Sequence, residues 1–222
     1  MTTALAPEVA RNLRDIGADF YARGWVLGTS GNFSAVLSTA PLQLAITASA
    51  VSKGALEAND ILVVDAAGVP LAPDRARPSA ETALHLAIAR QRGAGAILHT
   101  HSVWSTILSE LHGASGGLTI AGFEMLKGLH GVTTHEHVEW VPILDNAQDM
   151  PALATRVEAC LAAHPAAHGF LLRGHGLYTW GASLAEARRH VEIFEFLLEA
   201  TGRMRSLADP RAGGDHGNRD HS

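Results

Sequence analysis

Helix-period and strand-period runs take turns along this chain, and that alternation restricts the folds open to it more than any other feature. From Pro7 to Arg23 the apolar residues Val9, Leu13, Ile16 and Phe20 recur at three and four, with Gly24 behind them, the pattern of an amphipathic helix with a glycine stop. Short β-type runs follow at 33–37, 42–47 and 61–65, divided by Gly, Ser and Asn clusters that favour turns. The spacing then predicts a helix over 80–90 with Ser79 as its N-cap, a strand over 96–100, a helix over 103–111, a strand over 138–144 and a helix over 149–163 with Pro151 in its first turn. Strands at 169–173 and 177–180 and a long helix at 183–205 complete the series, and Ser183 with Glu186 forms a capping box for the last helix. Such interleaving predicts an α/β fold, a three-layer α/β/α sandwich on a mixed sheet. Residues 1–206 read as one domain. Residues 207–222, rich in Asp, Gly, Pro and Arg, read as a flexible polar tail, which makes His216 and His221 poor site candidates.

The 222 residues, 47% of them hydrophobic, suffice for one sizeable core and are few for two. With 17 basic against 22 acidic residues and no run of like charges, the chain offers no field for nucleic acid or anionic lipid, so the expected partner is a small molecule or another copy of itself. Met1 to Leu13 lacks the basic and apolar segments of a leader, and no apolar stretch is long enough to span a bilayer; a cytoplasmic protein without membrane contact is expected. The one cysteine, Cys160, excludes a thiolate cage, so any metal must be held by histidine or carboxylate, and there are 13 histidines to choose from.

Two of them stand out. In Ala96-Ile97-Leu98-His99-Thr100-His101 an apolar strand ends in histidines one residue apart, and alternation along a strand sends both rings to the same face. Alone, such a pair is as readily explained by hydrogen bonding at a half-buried strand end. A second strand, Leu171-Leu172-Arg173-Gly174-His175-Gly176, also ends in a histidine, between glycines that let the backbone turn closely. Three imidazoles with one open position describe a catalytic zinc site, although copper, nickel, manganese and iron also accept imidazole. The loops Gly28-Thr29-Ser30-Gly31-Asn32 and Thr47-Ala48-Ser49-Ala50-Val51-Ser52-Lys53-Gly54 expose backbone N–H groups and hydroxyls, with Lys53 adding a full charge and Ser79 a helix start; together they suit a phosphate, separately they are ordinary turns.

Two carboxylates are candidates for proton transfer. Glu81 falls in the predicted first turn of its helix, where the dipole favours an acid in any case. Glu124 sits among apolar neighbours in Gly122-Phe123-Glu124-Met125-Leu126-Lys127-Gly128, a surround that raises a carboxyl pKa toward acid/base use, unless it simply pairs with Lys127. His85, His112, His130, His164, His168 and His190 have no matching partner in the sequence and read as surface or satisfied core residues; His135 and His137 lack a preceding apolar strand. The four tryptophans, Trp25, Trp104, Trp140 and Trp180, read as core or contact residues.

The order Thr-Ser-Gly-Asn at 29–32, Ser-Ala-Glu-Thr at 79–82, Gly-Ala-Ile-Leu-His-Thr-His at 95–101 and Arg-Gly-His-Gly at 173–176 resembles the class II aldolase/adducin-head family over about Pro7 to Met204. The resemblance implies a central sheet that is mixed and largely antiparallel, and a homotetramer with one zinc ion per subunit at the subunit boundary, held by His99, His101 and His175. It further implies a phosphorylated ketose as substrate, with Gly31, Asn32, Ser49 and Ser79 on the phosphate. Ala50 departs from the family, whose members often carry glycine there. The runs 124–128 and 141–146 resemble a dehydrating branch, in which the acid/base would be Glu124; in the family's aldolases it would be Glu81, which this chain also keeps. An aldolase or epimerase, and a non-catalytic adducin-head-like module, are the competing expectations.

Overall fold

The computed structural model describes residues 5–72 and 76–208. Five α-helices and eight strands are found among them: α1 (Pro7–Ala22), β1 (Asn32–Thr39), β2 (Leu42–Thr47), β3 (Ile61–Val64), α2 (Thr82–Arg92), β4 (Ala96–Thr100), α3 (Val103–His112), β5 (Gly117–Ala121), β6 (Val138–Leu144), α4 (Met150–Ala163), β7 (Gly169–Leu172), β8 (Gly176–Gly181) and α5 (Leu184–Ala208). The strands form one sheet in the order β3-β2-β1-β4-β8-β7-β6-β5. Every neighbouring pair is antiparallel except β6 and β7, so the sheet is mixed and largely antiparallel, as expected.

Period-two alternation sorts the side chains of each strand onto two cores. Leu44, Ile46, Ile97, Phe170, Leu172, Tyr178 and Trp180 pack under α2 and α4. Their sequence neighbours face the other way: Ala45, Ala96 and Leu98 against α1 and α5, and Leu171 and Leu177 against α3 and α5. Helices therefore cover both faces, which gives the α/β/α layering. His99 has the parity of Ile97, so it points into the α2 layer, and this places the strand's histidines beneath the start of that helix.

Several local expectations need correction. Ser79 is not the N-cap of α2. The cap is Glu81 (φ −82, ψ 4), so Glu81 stands before the helix rather than in its first turn, while the Ser79 hydroxyl accepts the Glu81 N–H at 3.2 Å and closes the preceding turn. The strand β5 has no counterpart in the sequence-based reading. Gly117–Ala121 is a five-residue edge strand whose Leu118 and Ile120 are buried and whose Thr119 and Ala121 are exposed, and it pairs with β6. Helix α5 runs to Ala208, beyond Arg205 and into the segment expected to be tail; residues 209–222, with His216 and His221, lie outside the described residues. Among the described residues no helix is long and apolar enough to cross a membrane.

Candidate metal centre

β4 delivers His99 and His101, and the tight turn from β7 into β8 delivers His175 beside them. That turn depends on two glycines. Gly174 takes φ +61, and a Cβ on Gly176 would run into the Thr100 carbonyl oxygen and come within 3.1 Å of His99 Cε1, so only glycine lets β8 approach β4 this closely. The three Nε2 atoms lie 2.8 Å (His101–His99), 3.3 Å (His99–His175) and 3.2 Å (His175–His101) apart. A tetrahedral ion with metal–nitrogen bonds of about 2.0–2.1 Å needs separations of about 3.3–3.4 Å between its nitrogen ligands, close to this triangle.

The electrostatics suit the same role. His99 is buried, stacks on Tyr178 at 3.9 Å and 11°, and donates from Nδ1 to the Leu177 carbonyl at 2.9 Å, which leaves its lone pair on Nε2 facing the other two rings. Burial, and after it the neighbouring rings of His101 and His175, hold the His99 pKa well below its ordinary value. His101 is pushed down to about 4, by burial first and then by His175 and Lys53. Burial also lowers His175, against the opposing pull of Glu81. Near neutrality all three rings are uncharged and present lone pairs, the state a metal requires.

Glu81 joins them. Its Oε1 stands 3.3 Å from His175 Nε2 and its Oε2 3.6 Å from His99 Nε2, and the four side chains together could hold one ion. A chain of hydrogen bonds from the core fixes this carboxylate. The Ser34 hydroxyl donates to His85 Nδ1 at 2.7 Å, His85 Nε2 donates to Asn32 Oδ1, and Asn32 Nδ2 donates to Glu81 Oε2 at 2.6 Å. His85, which sequence reasoning assigned to the satisfied core, is fully buried and held at a pKa of about 3 by that burial, so its ring is neutral, with one nitrogen to donate and one to accept.

The centre opens onto a cavity of about 250 Å³ whose wall contains Gly31, Asn32, Ser49, Lys53 and Ser79, all five of the sequence-derived phosphate candidates, together with Glu81 and His101. Gly31 has φ +71, and a Cβ there would meet Val26 Cγ1 at 2.6 Å and His99 O at 2.8 Å. Ser79 Oγ accepts from Asn32 Nδ2 and from the Glu81 N–H, both at 3.2 Å, so its own proton is free to donate into the cavity. Lys53 is buried and donates to Val51 O at 2.7 Å and Thr29 O at 3.3 Å; burial, partly offset by Asp60, lowers its pKa to about 8, which keeps it mainly cationic at neutral pH. Ala50, the position where the resemblance leads one to expect glycine, adopts φ +59, a left-handed conformation that favours glycine. The Asn32 amide is fully engaged by Ser79, Glu81 and His85, so what it offers this cavity is orientation of its neighbours.

A sequence model of the Class II Aldolase and Adducin N-terminal domain matches residues 11–201. The chain belongs to this family. It is 46% identical over 192 residues to a methylthioribulose-1-phosphate dehydratase of Sorangium cellulosum (strain So ce56), covering 86% of this chain and 90% of that one. It is also 46% identical over 194 residues to the dehydratase of the same name from Pseudomonas savastanoi pv. phaseolicola (strain 1448A / Race 6), covering 87% and 93%. Among solved structures, an L-fuculose-1-phosphate aldolase from Thermus thermophilus superposes with a TM-score of 0.71 at 26% identity, covering 90% of this chain and 96% of that one.

Within the class II aldolase frame the other predicted carboxylate stands elsewhere. Glu124 begins a 3-10 turn (Glu124–Gly128), its side chain is 67% exposed, and it pairs with Lys127 and lies 3.8 Å from His135. The apolar surround read from its sequence neighbours does not form. Leu126 turns inward, whereas Glu124 points out, and the hydrogen bond from Lys127 lowers its pKa instead of raising it. Glu124 is neither in the imidazole cluster nor in the wall of the adjoining cavity.

Proposed function

We propose that this chain is a hydro-lyase that converts 5-methylthioribulose 1-phosphate to 2,3-diketo-5-methylthiopentyl 1-phosphate in methionine salvage. It acts as a cytoplasmic homotetramer with one catalytic zinc ion per subunit. The observation that carries this reading is the convergence of His99, His101 and His175 beside the cavity of Gly31, Ser49, Lys53 and Ser79, in a chain 46% identical to dehydratases of that name. When bound at the three imidazoles, the ion supplies Lewis acidity to the ketose carbonyl.

The chain's own residues do the rest. Lys53 and the free Ser79 proton, with the Ser49 hydroxyl and the backbone of Gly31 in the cavity wall, hold the phosphate; Asn32 keeps Ser79 and Glu81 in place. A carboxylate takes the C3 proton, the C4 hydroxyl departs as water on receiving a proton, and the enol so formed relaxes to the diketone. Glu124 is the acid/base in this reading. In its own chain it stands on the surface, so it serves the centre of a neighbouring copy in the tetramer. The exposed apolar stripe Val103, Ile107 and Leu111, spaced by four along α3, supports such an assembly.

A second reading, an aldolase splitting C3–C4, is favoured by one observation: Glu81 stands at the imidazole nitrogens. The test is the product formed by metal-loaded protein from methylthioribulose 1-phosphate, followed by NMR. The diketone is expected; a three-carbon phosphate with a two-carbon aldehyde would replace the dehydratase reading with the aldolase one.

A further inference from the structure

The β7–β8 hairpin carries the imidazole centre at one end and a second set of donor atoms at the other. Five residues of β8 separate the two, about 15 Å at the rise of a strand. His137 precedes β6, Glu139 is its second residue, and His168 directly precedes β7. Glu139 Oε2 lies 2.8 Å from His137 Nε2 and 3.0 Å from His168 Nδ1, while Oε1 accepts the His168 backbone N–H at 3.0 Å. The three ligand atoms lie within 4.8 Å of one another. The Glu139 side chain is 2% exposed and His137 28%, so the group is rooted in the fold and reaches solvent through His137.

The contact between His168 and Glu139 can be made in two ways. His168 Nε2 donates to the His130 carbonyl at 2.8 Å, which in a neutral ring leaves a lone pair on Nδ1, aimed at a carboxylate oxygen 3.0 Å away. A neutral ring cannot hold this contact: either His168 carries a second proton, which the hydrogen bond and charge of Glu139 favour by raising its pKa although burial opposes it, or a metal ion takes that proton's place. Although burial opposes charge on Glu139, its hydrogen bonds to His168 and His137 lower its pKa, so the oxygen is anionic and available as a ligand. Two imidazole nitrogens and one carboxylate oxygen are a donor set for a divalent transition ion. The group adjoins a cavity of about 240 Å³, whose wall includes Trp140 and His164 as well as His137 and Glu139. Backbone pairing between β6 and β7 is confined to Ile143–Leu171 and Leu144–Leu172, so the starts of these strands are joined by the side chains of this cluster rather than by a ladder.

We propose that His137, Glu139 and His168 form a second metal site, for a divalent ion of the zinc class, that fastens the start of β6 to the start of β7. The test uses full-length protein stripped by chelation and titrated with zinc alone, with bound metal counted per chain. Wild type is expected to bind two ions. His137→Ala, which leaves the imidazole centre untouched, should bind one, keep its turnover, and lose the rise in melting temperature that the second equivalent of zinc gives wild type. Zinc-edge anomalous diffraction from wild-type crystals should show a peak among the three side chains, a readout that does not depend on any variant folding. One ion per chain in wild type, or an anomalous map with density only at His99, His101 and His175, overturns the proposal and leaves a protonated His168 paired with Glu139. Product analysis tests the dehydratase reading separately, so either can fail without the other.

Discussion

A hydroxyl, an imidazole and an amide in series set the position of the carboxylate nearest the candidate metal centre. Because the Glu81 carboxylate accepts from Asn32 Nδ2, the amide oxygen of Asn32 faces His85, and the neutral ring then donates from Nε2 while accepting at Nδ1. His85→Ala is expected to cut turnover by about 10–100-fold while leaving bound metal in place, the scale seen when the partners of metal ligands are removed; metal analysis alongside initial rates checks it. His99→Ala should lose metal and turnover together, whereas Glu124→Gln should retain metal and lose turnover, and a Glu124→Gln enzyme as active as wild type would reject Glu124 as acid/base. At this scale the sequence was most legible where the site is local. Histidines one residue apart on an apolar strand must share a face, and a histidine between glycines at a strand end must sit on a turn. Glu81 and His168 were harder to read, because each gains its partners only when segments distant in the chain are packed together: Glu81 meets Asn32 across 49 positions and His168 meets Glu139 across 29. The raised pKa expected for Glu124 failed for a related reason, since apolar sequence neighbours do not make an apolar environment when the side chain points outward.

Two element pairings decide whether the imidazoles can meet. β8 must approach β4 without a side chain at position 176, so Gly176→Ala is expected to destabilise the protein by about 1–3 kcal/mol, the usual cost of overpacking, and to weaken metal binding by moving His175; thermal melts with and without zinc would show both. β4 is also tied to α5 by Glu195, which is buried and accepts from the Thr100 hydroxyl at 2.6 Å. Burial pushes Glu195 up to about 7 although its hydrogen bonds pull the other way. An acid whose folded pKa is raised binds its proton more tightly when folded, so its contribution is complete below the unfolded value near 4.5 and is lost as pH climbs through about 7. The loss amounts to about 3 kcal/mol by pH 8. Glu195→Gln should therefore match wild type near pH 4.5 and melt higher than wild type at pH 8, and identical pH profiles would contradict this. Strong apolar runs such as β4 and β6 were legible to the residue, whereas β5 was not, because its alternation, Leu118-Thr119-Ile120, is short and closed in by Gly116, Gly117 and Gly122.

At the scale of the whole molecule, the layering followed directly from alternation of helix and strand patterns, while strand order and the single parallel junction are set by packing that no local pattern encodes. The separation of the imidazole cluster from Glu124 gives the proposed homotetramer a testable consequence. Co-refolded mixtures of His99→Ala and Glu124→Gln, each inactive alone, should regain part of wild-type turnover, because some sites then combine an intact imidazole set with an intact Glu124 from the neighbouring copy; no recovery in mixed tetramers would place the acid/base within one chain. The proposed chemistry depends above all on a metal ion held by His99, His101 and His175. Its most direct test is the rate of methylthioribulose 1-phosphate turnover by chelator-stripped protein before and after zinc is restored: no turnover without metal and recovery on adding zinc to wild type but not to His99→Ala is predicted, and undiminished turnover by the metal-free protein would contradict it.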